Sequence, residues 1–380
     1  MPAKYAIHTR PAPPRWRPVG KLGIVDWRED CAGCHHCVKR ACVYGLYRDE
    51  AETLRREVGY LDYIYQCKGC LNCVQNCTKG ILTRVVNPEY RCLGDSYYTP
   101  DIVLATWYQA ESGRIPVSGS GYGGPFSGPG FDSMWTDMSE IVRPTRDGIH
   151  GREYISTSVD VGRKLPYLRF ADGELASAPS PLLEVPLPVL FDLIAAHWRR
   201  GAVMDAVLAA AAQIGTLAVL DPEEAERRPE ADPRHVVPLC ATAAAAGSSA
   251  SPLVMLDDGP EVMAAQARIK EVRPEAIVAI RLPATPAVAA RTAELAGAGA
   301  EVLHLVFDRH GRELVEAVVG NRTAPRHARD VLRQVHTGLV RQGLRDEVTL
   351  VAAGGIAQAE HVAKALICGA DLVAVDVPLL

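Results

Sequence analysis

Eight of the chain's 11 cysteines stand in two short runs, "CAGCHHCVKRAC" at 31–42 and "CKGCLNCVQNC" at 67–77. Cysteines two residues apart pair poorly with each other, and a chain of 380 residues needs no disulfide staples. Structural zinc takes four ligands, often as two separated pairs. Here each run is a triplet, C-x2-C-x2-C, followed by a fourth cysteine. A triplet wraps three corners of a cubane from one tight loop, and the fourth cysteine serves the other cluster. The expected ligand sets are Cys31, Cys34, Cys37 with Cys77, and Cys67, Cys70, Cys73 with Cys42. Two 4Fe–4S clusters follow.

The cysteine segment resembles a bacterial-type ferredoxin domain over residues 22–88, with the apolar strands "LGIVDW" and "GILTRVV" flanking the clusters. Two details depart from that pattern. The first fourth-cysteine gap, "VKRA", is one residue longer than usual, and Val43 and Thr78 stand where proline commonly follows. Such domains carry single electrons and do not choose a substrate.

The formal net charge of −4 gives no bulk basic field for nucleic acid, so none is expected as a partner. The most apolar stretch, "VMDAVLAAAAQIGTLAVL", contains Asp205 and Gln213 and reads as a helix followed by a strand, so no membrane span is expected. The first residues lack the apolar core of a secretory signal, which predicts a cytoplasmic protein. Residues 1–21, with prolines at 11, 13, 14 and 18, read as an extended lead.

Residues 89–182 form a Gly/Pro-rich connecting segment, with six glycines between Gly119 and Gly130. No G-K-[ST] closes this run as a phosphate loop. It reads either as a compact surface loop or as a lid or linker that covers a site.

From 183 to 380 apolar strands alternate with helical segments. The strands are "VPLPVLFD", "TLAVLD", "VVPLCA", "PLVMLDD", "AIVAIRL", "EVLHLVF", "VTLVAAGG" and "DLVAVDV". Helices are expected at 203–213, 260–272, 286–298, 324–342 and 357–367 from their i, i+3, i+4 apolar spacing. Continuous apolar strands belong to parallel sheets buried on both faces. Eight of them in this alternation predict an α/β fold, a (β/α)8 TIM-type barrel. The connections 221–235 and 242–250 read as too short or polar for full helices, and the sequence stops where the last helix is expected to begin.

Within the barrel, Gly354 and Gly355 allow close approach of backbone to a ligand, and a helix starting near Ile356 offers N–H groups to a phosphate. Such sites follow strands seven and eight of these barrels. Arg281, ending strand five, is either a cation for a ligand or half of a surface ion pair. His304, Asp308 and His310 are further candidates, each read first as structural. Gly369 reads as a helix-to-strand turn beneath the barrel.

The stretch "GGI…EHVAKALICGAD" resembles the FMN-phosphate region of the flavin domain of glutamate synthase. "IRLPATPAVAARTAELAGAGAEVLHLVFDRHGRE" and "DMSEIVRPTRDGIHGREYISTSVDVGRK" are similar to the archaeal-type branch of that family, in which a ferredoxin domain precedes the flavin barrel. The resemblance implies an oxidoreductase that passes electrons from the clusters to FMN for reductive amination of 2-oxoglutarate. It implies that Gly354, Gly355 and Ile356 hold the FMN phosphate and that Arg281 faces the N1/O2 edge of the ring.

Three departures bear on that expectation. No N-terminal cysteine nucleophile follows Met1, so ammonia would come free or from a separate glutaminase subunit. Asp376 would repel a phosphate unless its side chain turns away. Cys92, Cys240 and Cys368 are not spaced to supply the further cluster that such proteins carry beyond the barrel. The expected partners are a redox protein or subunit and a possible closing subunit. The alternative is an electron-transfer or docking subunit of a larger redox complex, with a non-catalytic barrel.

Overall fold

The computed structural model describes residues 22–27, 71–80, 82–86, 88–113, 128–135, 157–165, 167, 168, 170–175, 180–199, 202–314 and 324–380. The chain divides into two compact units, His8–Phe126, and Met1–Ile7 with Ser127–Leu380.

In the first unit, β1 (Leu22–Trp27) pairs antiparallel with β2 (Leu82–Val86), from Leu22 opposite Val86 to Trp27 opposite Leu82. These are the two strands expected to flank the cysteine runs. Between them lies the short helix α1 (Asn72–Gln75). After β2 come α2 (Pro88–Arg91) and α3 (Pro100–Ser112). The sequence reading assigns no helix to 100–112, although its punctuation is legible. Thr99 caps the Ile102 N–H, Pro100 opens the helix, and Gly113 ends it at φ 66°.

The second unit is a (β/α)8 barrel. Its strands are β7 (Val189–Phe191), β8 (Ala218–Leu220), β9 (Val236–Pro238), β10 (Leu253–Asp257), β11 (Ile277–Pro283), β12 (Val302–Val306), β13 (Thr349–Ala353) and β14 (Leu372–Val375). All are parallel, in the order β10-β11-β12-β13-β14-β7-β8-β9. The ring closes where Leu239 bridges Met255 in parallel and the Cys240 N–H donates to the Met255 carbonyl at 2.8 Å. All eight expected strands are in the barrel. The run "VPLPVLFD" is split, because Pro186 and Pro188 lack N–H donors and only Val189–Phe191 joins the ring.

Among the described residues, seven α-helices connect the strands: α4 (Ala202–Ile214), α5 (Pro222–Arg227), α6 (Ala243–Ser248), α7 (Val262–Val272), α8 (Val288–Gly297), α9 (Ala328–Arg341) and α10 (Ala359–Ile367). The two connections expected to be short carry six-residue helices, α5 and α6. In α9, Ala328, Val331, Leu332, Val335 and Leu339 face the strands at helical spacing. Burying each of the larger four contributes roughly 1.5–3 kcal/mol before chain entropy is charged.

Alternation along each strand separates two cores. Leu253, Met255, Ile277, Ala279, Val302, Val351, Leu372 and Ala374 fill the barrel interior. Val278, Ile280, Leu282, Leu303, Leu305, Leu350 and Val373 face the helices. The floor is made by a small antiparallel pair, β3 (Val159–Val161) and β6 (Leu183–Val185), whose Val161 and Val185 join the interior core. The floor is fastened to β13: the Gly162 N–H donates to Thr349 Oγ1 at 3.1 Å, and that hydroxyl donates to the Gly162 carbonyl at 2.8 Å. A separate antiparallel hairpin, β4 (Phe170–Ala171) with β5 (Glu174–Leu175), precedes β6. Among the described residues, no helix is long and apolar enough to cross a membrane.

Candidate active site

A parallel barrel presents its functional groups at the C-terminal ends of its strands. On β11, Ile277 and Ala279 point inward, so the period of two turns Arg281 inward as well. Val302 does the same for His304 on β12, and the register pairs Arg281 with His304 directly. Asp257 of β10 lies opposite Arg281 on its other side. Asp192 follows β7 and Asp376 follows β14; the Asp192 N–H donates to the Val375 carbonyl at 2.9 Å. Five strands thus place two nitrogen bases and three carboxyls around one end of the ring.

These groups are only partly matched with one another. Asp192 Oδ2 lies 3.4 Å from His304 Nε2, with both side chains buried. Arg281 Nη1 lies 3.5 Å from the exposed Asp257. Asp192 Oδ1, both ring nitrogens of His304, Arg281 Nε and Asp376 Oδ1 are buried without a hydrogen-bond partner. Leaving a buried polar atom unmet costs about 1–3 kcal/mol. Such a concentration marks a site that meets a ligand or bound water.

Electrostatics divides the acids. Burial works to raise Asp192, but His304, the Leu193 N–H and the Arg281 charge together hold its carboxyl below the usual range. Burial raises Asp376 above that range, and the charge on Asp192 adds to the effect. Carboxyls pushed apart in this way suit different roles in proton transfer.

Gly354 and Gly355 follow β13 with φ 101° and 73°, conformations that favour glycine. The partner in close approach is the chain's own turn after β12. A Cβ on Gly354 would meet the Asp308 carbonyl oxygen at 2.5 Å, and one on Gly355 would meet Gly311 Cα at 2.5 Å. Asp308 organises that turn, its Oδ1 accepting from the N–H groups of His310 at 2.8 Å and Arg312 at 2.7 Å. Ile356 is buried. The next helix begins at Ala359, three residues beyond the expected start.

That loop is braced from outside the barrel. The Ala357 N–H donates to His361 Nδ1 at 3.1 Å, so His361 Nε2 carries the proton and donates to Asp132 at 2.8 Å. Phe131 packs against His361 and edge-on to His327. Gly369 sits at φ 116° between α10 and β14, where a Cβ would strike His336. Its carbonyl accepts from Arg345, which is consistent with a turn beneath the barrel.

Of the eight expected cluster ligands, Cys31, Cys34, Cys37, Cys42, Cys67 and Cys70 lie outside the described residues. Cys73 is on α1, and the Cys77 N–H donates to the Val74 carbonyl at 3.2 Å just after it. The buried thiols of Cys240 and Cys368 are raised by desolvation, the former to about 11. Asp192 was missed by sequence reasoning. Its signal was an acid ending an apolar barrel strand.

Residues 247–380 match the conserved region in glutamate synthase, which supports a relationship to that family. No curated protein matches the chain. Among solved structures, nitroalkane oxidase from Streptomyces ansochromogenes is similar at 16% identity and a TM-score of 0.38, over 50% of this chain and 65% of that one. A Pediococcus acidilactici protein assigned as lactate oxidase has 17% identity and a TM-score of 0.38, over 57% and 70%. A Coccidioides immitis protein assigned as deoxyribose-phosphate aldolase has 15% identity and a TM-score of 0.37, over 49% and 79%.

Proposed function

We propose that this chain is an iron–sulfur flavoprotein oxidoreductase of the glutamate synthase type. Two 4Fe–4S clusters, on the eight cysteines of residues 31–77, would pass electrons to FMN for reductive amination of 2-oxoglutarate to glutamate. One coincidence carries this reading. The segment that matches glutamate synthase, 247–380, is the one that brings Arg281, His304 and Asp376 to the barrel mouth.

The cysteine runs and Arg281 fit the groups. Two interleaved cysteine triplets, each with a fourth thiol, suit two cubanes. In the mouth, the partnerless Nε of Arg281 fits a cation beside an anionic ring edge. Gly354, Gly355 and Ile356, ahead of α10, are the residues the resemblance assigns to the phosphate, which could reach them only with the Asp308–Gly311 turn displaced. When bound, FMN takes electrons singly and delivers them as a pair. The chain's own residues would hold the dicarboxylate substrate near Arg281 and move protons at the mouth.

A second reading is favoured by one observation. The Asp308–Gly311 turn already fills the hollow that the two glycines open. A barrel with that hollow closed suits a docking scaffold within an electron-transfer complex. Anaerobic turnover separates the two. The full chain, reduced through its clusters, should be reoxidised by 2-oxoglutarate plus ammonium with glutamate formed; reoxidation without glutamate would leave electron transfer alone.

A further inference from the structure

We infer that the Asp376 carboxyl, beside Asp192 at the rim end of β14, is the hydrogen-bond donor and proton source that meets the carbonyl oxygen of a 2-oxo acid in the barrel mouth. This rests on the proposed reductive amination and assigns it an acid.

The geometry comes first. β14 and β7 are hydrogen-bonded neighbours, and the Asp192 N–H to Val375 carbonyl bond continues their ladder past the last pair, Phe191 with Val375. Leu190 and Ala374 face the interior, so by alternation Asp192 and Asp376 do too. Asp376 is half-buried, and its buried Oδ1 has no partner. Asp192 is buried and held against His304. Two carboxyls this placed cannot both ionise cheaply. His304 and Arg281 favour the charged form of Asp192, and burial with the neighbouring Asp192 charge shifts Asp376 towards its protonated form.

Among the described residues, the groups acting on Asp376 are Asp192 of the β7 end, the Val377 N–H of its own turn and its own backbone N–H. Both N–H groups oppose the upward shift without reversing it. In its protonated form Asp376 does not repel an anion, which bears on the objection its sequence position raised.

The step balances as follows. Ammonia adds to the carbonyl carbon of the 2-oxo acid and a carbinolamine results. Its C–O bond then breaks, and the oxygen leaves as water, taking the proton from Asp376. The nitrogen lone pair becomes the second C–N bond of an iminium ion. Asp376 is left as carboxylate and recovers its proton from solvent. General acid help of this kind contributes typically about 10²–10⁴-fold.

The test is infrared spectroscopy of the full chain at pH 7, with and without 2-oxoglutarate, alongside turnover with ammonium. The parent should show a neutral carboxylic-acid carbonyl band that Asp376→Asn lacks and that shifts when 2-oxoglutarate binds. Glutamate formation by Asp376→Asn should fall at least about a hundredfold at unchanged flavin content. A missing band, a band unmoved by 2-oxoglutarate, or a variant turning over within threefold of the parent would overturn the inference. A band that shifts on binding in a parent that forms no glutamate would sustain Asp376 as the donor to a 2-oxo acid, and would remove the amination reading instead.

Discussion

His361 donates from Nε2 to Asp132 across 229 residues of chain, while its Nδ1 accepts from the Ala357 N–H in the loop after β13. One imidazole therefore ties the segment before the barrel to the loop at its mouth. Both side chains are buried, and Lys364 approaches Asp132 at 3.8 Å. Asp132→Ala or His361→Ala should each cost about 2–4 kcal/mol, because each leaves a buried partner unmet. The double variant should cost clearly less than their sum. Urea unfolding of the four proteins measures this, and simple additivity would show the pair to be uncoupled.

Gly355→Ala should destabilise the barrel before any ligand is considered. The new Cβ meets Gly311 backbone at 2.5 Å from a φ of 73°. Overpacking against backbone costs about 1–3 kcal/mol, and positive φ adds about one more. Thermal unfolding of cofactor-stripped parent and variant is the comparison. Equal stability would mean that the loop stands clear of the Asp308–Gly311 turn.

The barrel itself was legible in the sequence. β10 to β14 are continuous apolar runs buried on both faces, and α9 shows its buried stripe plainly. The floor was not legible, since β3 and β6 are three-residue strands whose only sequence mark is Val161 and Val185 among prolines and charges. Site residues divided on the same line. Arg281 and His304 stand out within apolar strands, whereas the link between Asp192 and Asp376 depends on ring closure, which joins the first strand to the eighth. Glycines at 354 and 355 announce close approach, but sequence cannot say whether ligand or backbone does the approaching.

Acid should weaken the fold through His327. Burial pushes its pKa from 6.5 down to about 4, and its Nδ1 caps α9 by accepting from the Arg329 N–H at 3.2 Å. The folded value lies below the unfolded one, so the unfolded chain binds the proton first. The stability from neutral His327 is full above pH 6.5 and is lost as pH falls towards 4. Two and a half pKa units correspond to about 3 kcal/mol at most. His327→Asn keeps an N-cap acceptor and should flatten this part of the profile. A profile unchanged by the substitution would place the acid sensitivity elsewhere.

Thr349→Val should loosen the barrel floor. The substitution preserves shape but removes both hydrogen bonds to Gly162, leaving its N–H and carbonyl unmet in a buried site. The expected loss is about 2–3 kcal/mol by chemical denaturation. A loss below about 0.5 kcal/mol would show that water replaces the hydroxyl.

The central claim is that this chain holds both iron–sulfur clusters and a flavin, and cofactor content of the full-length protein, purified without oxygen, tests it most directly. The account predicts about eight irons and eight acid-labile sulfides per chain from two cubanes, with about one FMN released by acid. Cys70→Ser should lower the iron by more than half of that content, since Cys42 and Cys77 interleave the two ligand sets. Zinc as the stoichiometric metal, or protein with full iron content and no flavin, would contradict the account.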